Sequence, residues 1–283
     1  MKRTTPPHAS VSTEWLAAHL AEPDLRVVDA TWYVPWLHHD AREEFRQTHI
    51  PGAVFFDIDV VADKNTHLPH MLPGLEAFAR SVGTLGIGEG DRIIVYGGLH
   101  LVASARVWWT FRAFGYDRVA VLDGGLPRWR EEGRSLEAGD ATPAPRRFAA
   151  RTRPELAVNL DGVRRTLESR AAQVIDARPQ GRFAGTEPEP RPGIRSGHIP
   201  GSVNLPHDRL FGPDGLLLPP EGLRRVFEAA GVDLDRPMIT TCGTGVTAAV
   251  LAFGLYILGR GDAAVYDGSW TEWGGRDDTP VER

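Results

Sequence analysis

Cysteine occurs once in this chain of 283 residues, inside the run Thr241-Cys242-Gly243-Thr244-Gly245-Val246-Thr247-Ala248. A single thiol cannot close an internal disulfide, nor supply the several thiolates of a zinc or iron–sulfur centre. It can act as a nucleophile if its surroundings favour the thiolate. A lone cysteine is commonly a small buried core residue. Here the local pattern favours reactivity. An apolar stretch at 237–241 reads as a strand, and 246–258 reads as an apolar helix. Two glycines between them let successive backbone N–H groups converge on one point, and the helix start adds its partial positive charge. Both effects stabilise a sulfur anion.

The elements that must position this loop come in two copies. Val27-Val28-Asp29-Ala30 returns as Val174-Ile175-Asp176-Ala177, and His49-Ile50-Pro51-Gly52 returns as His198-Ile199-Pro200-Gly201. Ile93-Ile94-Val95-Tyr96 has its counterpart in Met238-Ile239-Thr240-Thr241. Asp123-Gly124-Gly125 with Trp129 returns as Asp267-Gly268-Ser269 with Trp273. Four collinear matches at a spacing of about 145 residues mark a tandem duplication.

In each copy, short apolar strands alternate with helical stretches. Strands are expected at 26–30, 92–96 and 119–122, then at 173–176, 237–241 and 263–266; helices are expected at 40–48, 75–85 and 102–114. That alternation predicts an α/β fold with a mostly parallel sheet flanked by helices in each half. The expected domains span 10–134 and 154–283, joined by a Pro-rich linker over 135–153. The position matching Cys242 falls near Gly97, in Tyr96-Gly97-Gly98-Leu99-His100, so the first copy carries no nucleophile.

Composition excludes several classes. With 42% hydrophobic residues and a net charge of -5, the chain is neither disordered nor basic enough to suggest nucleic acid or an anionic membrane as partner. The early Lys2 and Arg3 precede no apolar core of a signal peptide, and the longest apolar run is too short to span a bilayer, so a soluble cytoplasmic protein is expected. His38-His39-Asp40 reads as solvated surface rather than a metal site, because neighbouring helical residues do not share a face. A phosphatase loop needs Arg at the sixth place after the cysteine, where Ala248 stands.

The cysteine loop closely resembles that of tandem-domain rhodanese-type sulfurtransferases, in particular the 3-mercaptopyruvate sulfurtransferase branch. So do Val28-Asp29-Ala30-Thr31-Trp32-Tyr33-Val34-Pro35, Phe55-Phe56-Asp57-Ile58-Asp59, His70-Met71-Leu72-Pro73-Gly74 and Arg106-Val107-Trp108-Trp109 in the first copy. Gly181-Arg182-Phe183 and Glu187-Pro188-Glu189-Pro190-Arg191 do so in the second. The resemblance runs from about residue 12 to 275 and implies two rhodanese-like domains with the active site in the interdomain cleft. It implies sulfur transfer from 3-mercaptopyruvate through a Cys242 persulfide to cyanide, a small thiol or a thioredoxin-like protein, with release of pyruvate and without a cofactor.

By the same resemblance, Arg182 and Arg191 clamp the 2-oxo acid, while Gly243, Gly245, Val246 and Thr247 shape the loop around it. Thr244, with His70 and Asp59, would handle the proton that the pyruvate enolate must gain. The family commonly has serine where Thr244 stands. Trp32, Tyr33 and Arg106 are further expected contributions of the first copy. Thiosulfate is the rival donor. Its enzymes carry Arg and Lys after the cysteine, where this chain has the neutral Gly243 and Thr244. A non-catalytic sulfur-relay or binding module is the alternative of a different class, and such modules usually lack the cysteine.

Overall fold

The computed structural model describes residues 9–98 and 101–283; Leu99 and His100 of the loop matching Cys242, and the first eight residues, lie outside them. The chain divides into two units. One comprises residues up to Asp63 together with Leu72–Thr152, and the other comprises Lys64–Met71 together with Arg153–Arg283.

The first unit runs β1 (Ser10–Val11), α1 (Thr13–His19), β2 (Leu25–Asp29), α2 (Ala41–Gln47), β3 (Val54–Phe55), α3 (Ile58–Val61), α4 (Leu75–Thr84), β4 (Arg92–Tyr96), α5 (Val102–Ala113), β5 (Val119–Leu122) and α6 (Gly125–Glu131). The second runs β6 (Ala157–Val158), α7 (Leu160–Ser169), β7 (Gln173–Asp176), α8 (Gln180–Phe183), β8 (Val203–Asn204), α9 (Pro220–Ala229), β9 (Met238–Thr241), α10 (Ala248–Ile257), β10 (Ala264–Tyr266) and α11 (Ser269–Trp273). Among the described residues, both sheets are five-stranded, in the orders β1-β5-β4-β2-β3 and β6-β10-β9-β7-β8. Every strand pair is parallel. β4 and β9 occupy the same central place. A central strand has no free edge and presents its carboxyl end where ligands collect in open α/β sheets.

Side-chain patterning explains the layering. α9 is amphipathic and buries Leu223 and Phe227. α10 is apolar throughout and buries every residue from Ala248 to Leu255, as a helix without a polar stripe must. α5 likewise buries Ala103 to Ala113, including Arg106, whose guanidinium lies 4.5 Å from the centre of the Trp109 ring.

The duplication persists in individual hydrogen bonds. Ala30 N–H donates to Tyr96 O and Ala177 N–H to Thr241 O, each at 2.8 Å. The repeated His-Ile-Pro-Gly is structural in both halves. The His49 ring stacks on Phe45 at 4.0 Å, and His198 on Phe183 at 3.8 Å. The backbones of His49 and His198 form bridges to Glu137 and Glu282.

Glu137 lies in the stretch expected as a linker, yet it belongs to the first unit as firmly as Glu282 belongs to the second. Arg146 reaches the buried Asp91, and Phe148 is itself buried. Residues 135–152 are thus a strap packed on the first unit. A segment of the first repeat, Lys64–Met71, groups with the second unit and brings His70 with it.

Candidate functional site

β9 ends at Thr241, and the chain turns through Cys242 to Thr247 before α10 begins. Two threonines sit at the end of this buried strand. Thr240 Oγ1 donates to Ala264 O at 3.2 Å, and Thr241 Oγ1 to Ser269 Oγ at 3.3 Å, so neither hydroxyl is orphaned. Cys242 is a free thiol, 2% exposed. Its Sγ accepts the backbone N–H of Gly245 at 3.1 Å. Gly245 has φ 80°, a left-handed conformation that costs a residue with a side chain about 1–2 kcal/mol. That turn directs the amide back at the sulfur.

The other side of the loop is held by α11. Trp270 N–H donates to Cys242 O, and Thr271 N–H to Gly243 O, each at 2.9 Å. Thr271 Oγ1 adds a second bond to Gly243 O at 2.7 Å. Thr244 and Val246 are buried, while Gly243 and Thr247 are half-buried.

Arg182, on α8, comes to this loop. A Cβ at position 243 would lie 3.2 Å from its Nη2, so only glycine leaves that approach unobstructed. The guanidinium is held along one edge, with Nε and Nη2 both donating to the Glu189 carboxylate. The Nη1 end of the fork is the part that this clamp does not use.

Glu189 also accepts from Arg178 Nη1 at 2.7 Å, and Arg178 Nη2 donates to Asp176 Oδ2 at 2.6 Å. Asp176, Arg178, Glu189 and Arg182 form one alternating chain of charge that runs from the end of β7 to the loop. Arg178 is almost wholly buried and lies 4.4 Å from the centre of the Trp270 ring. Burial works against its charge, but Asp176 and then Glu189 outweigh this and hold its pKa above the usual guanidinium value.

The second unit therefore brings together Cys242, Gly243, Thr244, Gly245, Val246, Thr247 and Arg182 of the expected site. Arg191 is half-buried between α8 and β8. His70 is buried in the second unit with a left-handed φ of 61°. Asp59 is an exposed residue of α3 in the first unit, and its Oδ2 accepts the indole N–H of Trp32 at 2.8 Å. Among the described residues, no cluster of three or more His, Cys, Asp or Glu side chains is placed to hold a metal ion. No helix among them is long and apolar enough to cross a membrane.

Arg178, Glu189, Ser269 and Trp270 also touch the loop or its clamp, and the sequence alone assigned none of them a role. The duplication held a signal for two of them. Asp29-Ala30-Thr31 becomes Asp176-Ala177-Arg178, and Asp123-Gly124-Gly125 becomes Asp267-Gly268-Ser269, so the repeats diverge at residues that touch the loop or its clamp.

This architecture is that of a duplicated α/β protein with parallel sheets and a thiol at the end of a central strand in one of its two units. The chain belongs to the rhodanese family: the Rhodanese-like domain matches residues 12–132 and 159–276. It is 46% identical to human 3-mercaptopyruvate sulfurtransferase, over 94% of this chain and 91% of that protein. It is 45% identical to bovine thiosulfate sulfurtransferase over the same shares. Among solved structures, Escherichia coli SseA, described as showing the rhodanese fold of 3-mercaptopyruvate sulfotransferases, superposes with a TM-score of 0.85 and 38% identity, over 94% of this chain and 99% of that one.

Proposed function

We propose that this chain is a sulfurtransferase that takes the sulfur of 3-mercaptopyruvate and passes it, through a persulfide on Cys242, to a thiol or cyanide acceptor. The observation that carries this reading is the Gly245 N–H aimed at Cys242 Sγ beside a guanidinium, Arg182, that is held in place by Glu189. The amide favours the thiolate and can follow the negative charge to the outer sulfur of a persulfide. Arg182 and Arg191 suit the carboxylate and carbonyl of a 2-oxo acid.

Cys242 thiolate attacks the substrate sulfur and forms the S–S bond. The C–S bond breaks, and its electron pair leaves as the enolate of pyruvate, which takes up a proton. Thr244, whose hydroxyl lies within the loop, is our candidate for delivering that proton, with His70 and Asp59 as the further candidates implied by family resemblance. An acceptor thiolate then attacks the outer sulfur and frees Cys242 for another turnover. A small thiol or a thioredoxin-like protein fits this step, which asks only for a reducing compartment such as the cytoplasm.

Similarity to human and bovine relatives with different donors is nearly equal, so overall identity does not separate the two donors. The loop favours the 2-oxo acid, because the neutral Gly243 and Thr244 offer no extra charge to a compact dianion. The test is a steady-state comparison of 3-mercaptopyruvate with thiosulfate, with cyanide and with dithiothreitol as acceptors. A higher kcat/KM for 3-mercaptopyruvate is expected, and a clear preference for thiosulfate would overturn the choice of donor. Cys242→Ser should abolish turnover with both donors; residual activity in that variant would overturn the persulfide route.

A further inference from the structure

The two units repeat one another closely enough for their differences to be informative at single residues. At the turn into the helix after the fifth strand, Gly125 has φ 54° and Ser269 has φ 50°. The same backbone bond follows in each unit: Leu126 N–H donates to Gly97 O at 3.0 Å, and Trp270 N–H to Cys242 O at 2.9 Å. In the unit without a thiol, the left-handed position is held by glycine, which adopts it freely. In the unit with the thiol it is held by serine, for which that conformation is strained. A left-handed residue with a side chain persists only where its surroundings over-determine it, and such strain gathers at functional sites.

The serine hydroxyl is fully engaged. Ser269 is wholly buried, and its Oγ accepts the backbone N–H of Cys242 at 3.1 Å and the hydroxyl of Thr241 at 3.3 Å. It donates its own proton to Tyr266 O at 2.8 Å. One hydroxyl thereby ties the ends of β9 and β10 to the amide of the reactive residue. The preceding residue is also rearranged, since Gly124 is left-handed with φ 75° whereas Gly268 is right-handed with φ -66°. The first unit could not accept a side chain here unaltered, because a Cβ on Gly125 would lie 2.5 Å from Gly97 O.

We propose that Ser269 is a positioning residue for Cys242. It engages the cysteine's own N–H and fixes the direction of its Cα–Cβ bond, so that Sγ rests against the Gly245 amide. This inference rests on Cys242 being the nucleophile, and it explains why the repeats diverge at a residue that need not touch substrate.

The test compares Ser269→Gly and Ser269→Ala with the intact protein. Readouts are the thermal midpoint, the kinetics with 3-mercaptopyruvate and cyanide normalised to titrated Cys242 thiol, and the pH profile of Cys242 alkylation by iodoacetamide. Ser269→Gly relieves the left-handed strain, as at Gly125, and should remain folded even if Ser269→Ala does not. The expected result for Ser269→Gly is a loss of about tenfold in kcat per thiol, with the alkylation profile displaced to higher pH. If folded Ser269→Gly keeps the wild-type profile and kcat per thiol, the proposal is overturned, whatever its thermal midpoint. Cys242→Ser separates the two failures: activity in that variant removes the nucleophile itself, whereas an inactive Cys242→Ser beside a fully active Ser269→Gly removes only the role of Ser269.

Discussion

The amide of Gly245 meets the sulfur of Cys242 at 3.1 Å, three residues further along the same loop. The contact depends on a backbone angle available at little cost only to glycine, because Gly245 sits at φ 80°. The contact to the sulfur is therefore built from backbone geometry at the carboxyl end of a central strand.

Gly245→Ala should accordingly cost activity out of proportion to its size. Left-handed strain of about 1–2 kcal/mol either destabilises the fold or relaxes the loop and withdraws the amide from sulfur. A fall of about tenfold in kcat/KM is expected from losing one hydrogen bond to a charged group. Steady-state kinetics beside a thermal melt distinguish the two routes, and a variant equal to wild type in both would show that the contact is dispensable.

Glu189→Gln addresses the clamp on Arg182. The amide keeps the shape of the carboxylate but loses the charge that both Arg178 and Arg182 face. With its fork less constrained, Arg182 should bind the 2-oxo acid more weakly, and KM for 3-mercaptopyruvate should rise by roughly three- to tenfold. An unchanged KM would mean that Arg182 reaches the substrate without its partner.

Arg178 tests what the buried charges do for stability. Arg178→Ala leaves Asp176 and Glu189 buried without their shared cation, at an expected cost of about 3–5 kcal/mol. A double variant with Asp176→Asn should recover part of that loss, because one uncompensated carboxylate is removed. Denaturant unfolding measures both, and a cost below about 1 kcal/mol for the single variant would contradict this account.

Tyr116 predicts an alkaline limit. Burial first, with the charge of Asp91 adding to it, pushes its phenol up to about 12 from an ordinary 10.0. Its hydroxyl donates to Asp91 O and so needs its proton. The folded state holds that proton more tightly than the unfolded chain. The contribution to stability is therefore complete below pH about 10 and is lost as pH rises towards 12. Tyr116→Phe should flatten the decline in thermal midpoint over that window, and an unaltered slope would place the alkaline sensitivity elsewhere.

Much of the frame was legible because apolar strands and glycine-bounded turns are local signals. The expected strands at 92–96, 119–122 and 173–176 coincide with β4, β5 and β7. The helices begin and end within a few residues of expectation; 246–258, for example, shortens to Ala248–Ile257 because Val246 and Thr247 belong to the turn. The strap over 135–152 was not legible as part of the first unit. Its prolines and small residues read as a linker, while its anchors are single long-range contacts such as Arg146 to Asp91. Nor could sequence show that Lys64–Met71 groups with the second unit, since that depends on packing between residues far apart along the chain.

The sequence alone determined that this protein is a duplication with one thiol, and that the thiol lies where a strand yields to a helix, because period, repeat and glycine placement are written locally. The tertiary structure decided which edge of Arg182 Glu189 occupies, that Arg178 shares Glu189 with it, and that the Ser269 hydroxyl meets the amide of Cys242. Those roles belong to side chains brought together from the ends of β7 and β10 and from the loop after α8. Hydrogen bonds and buried charges act over about 3 Å of space, whatever the separation along the chain.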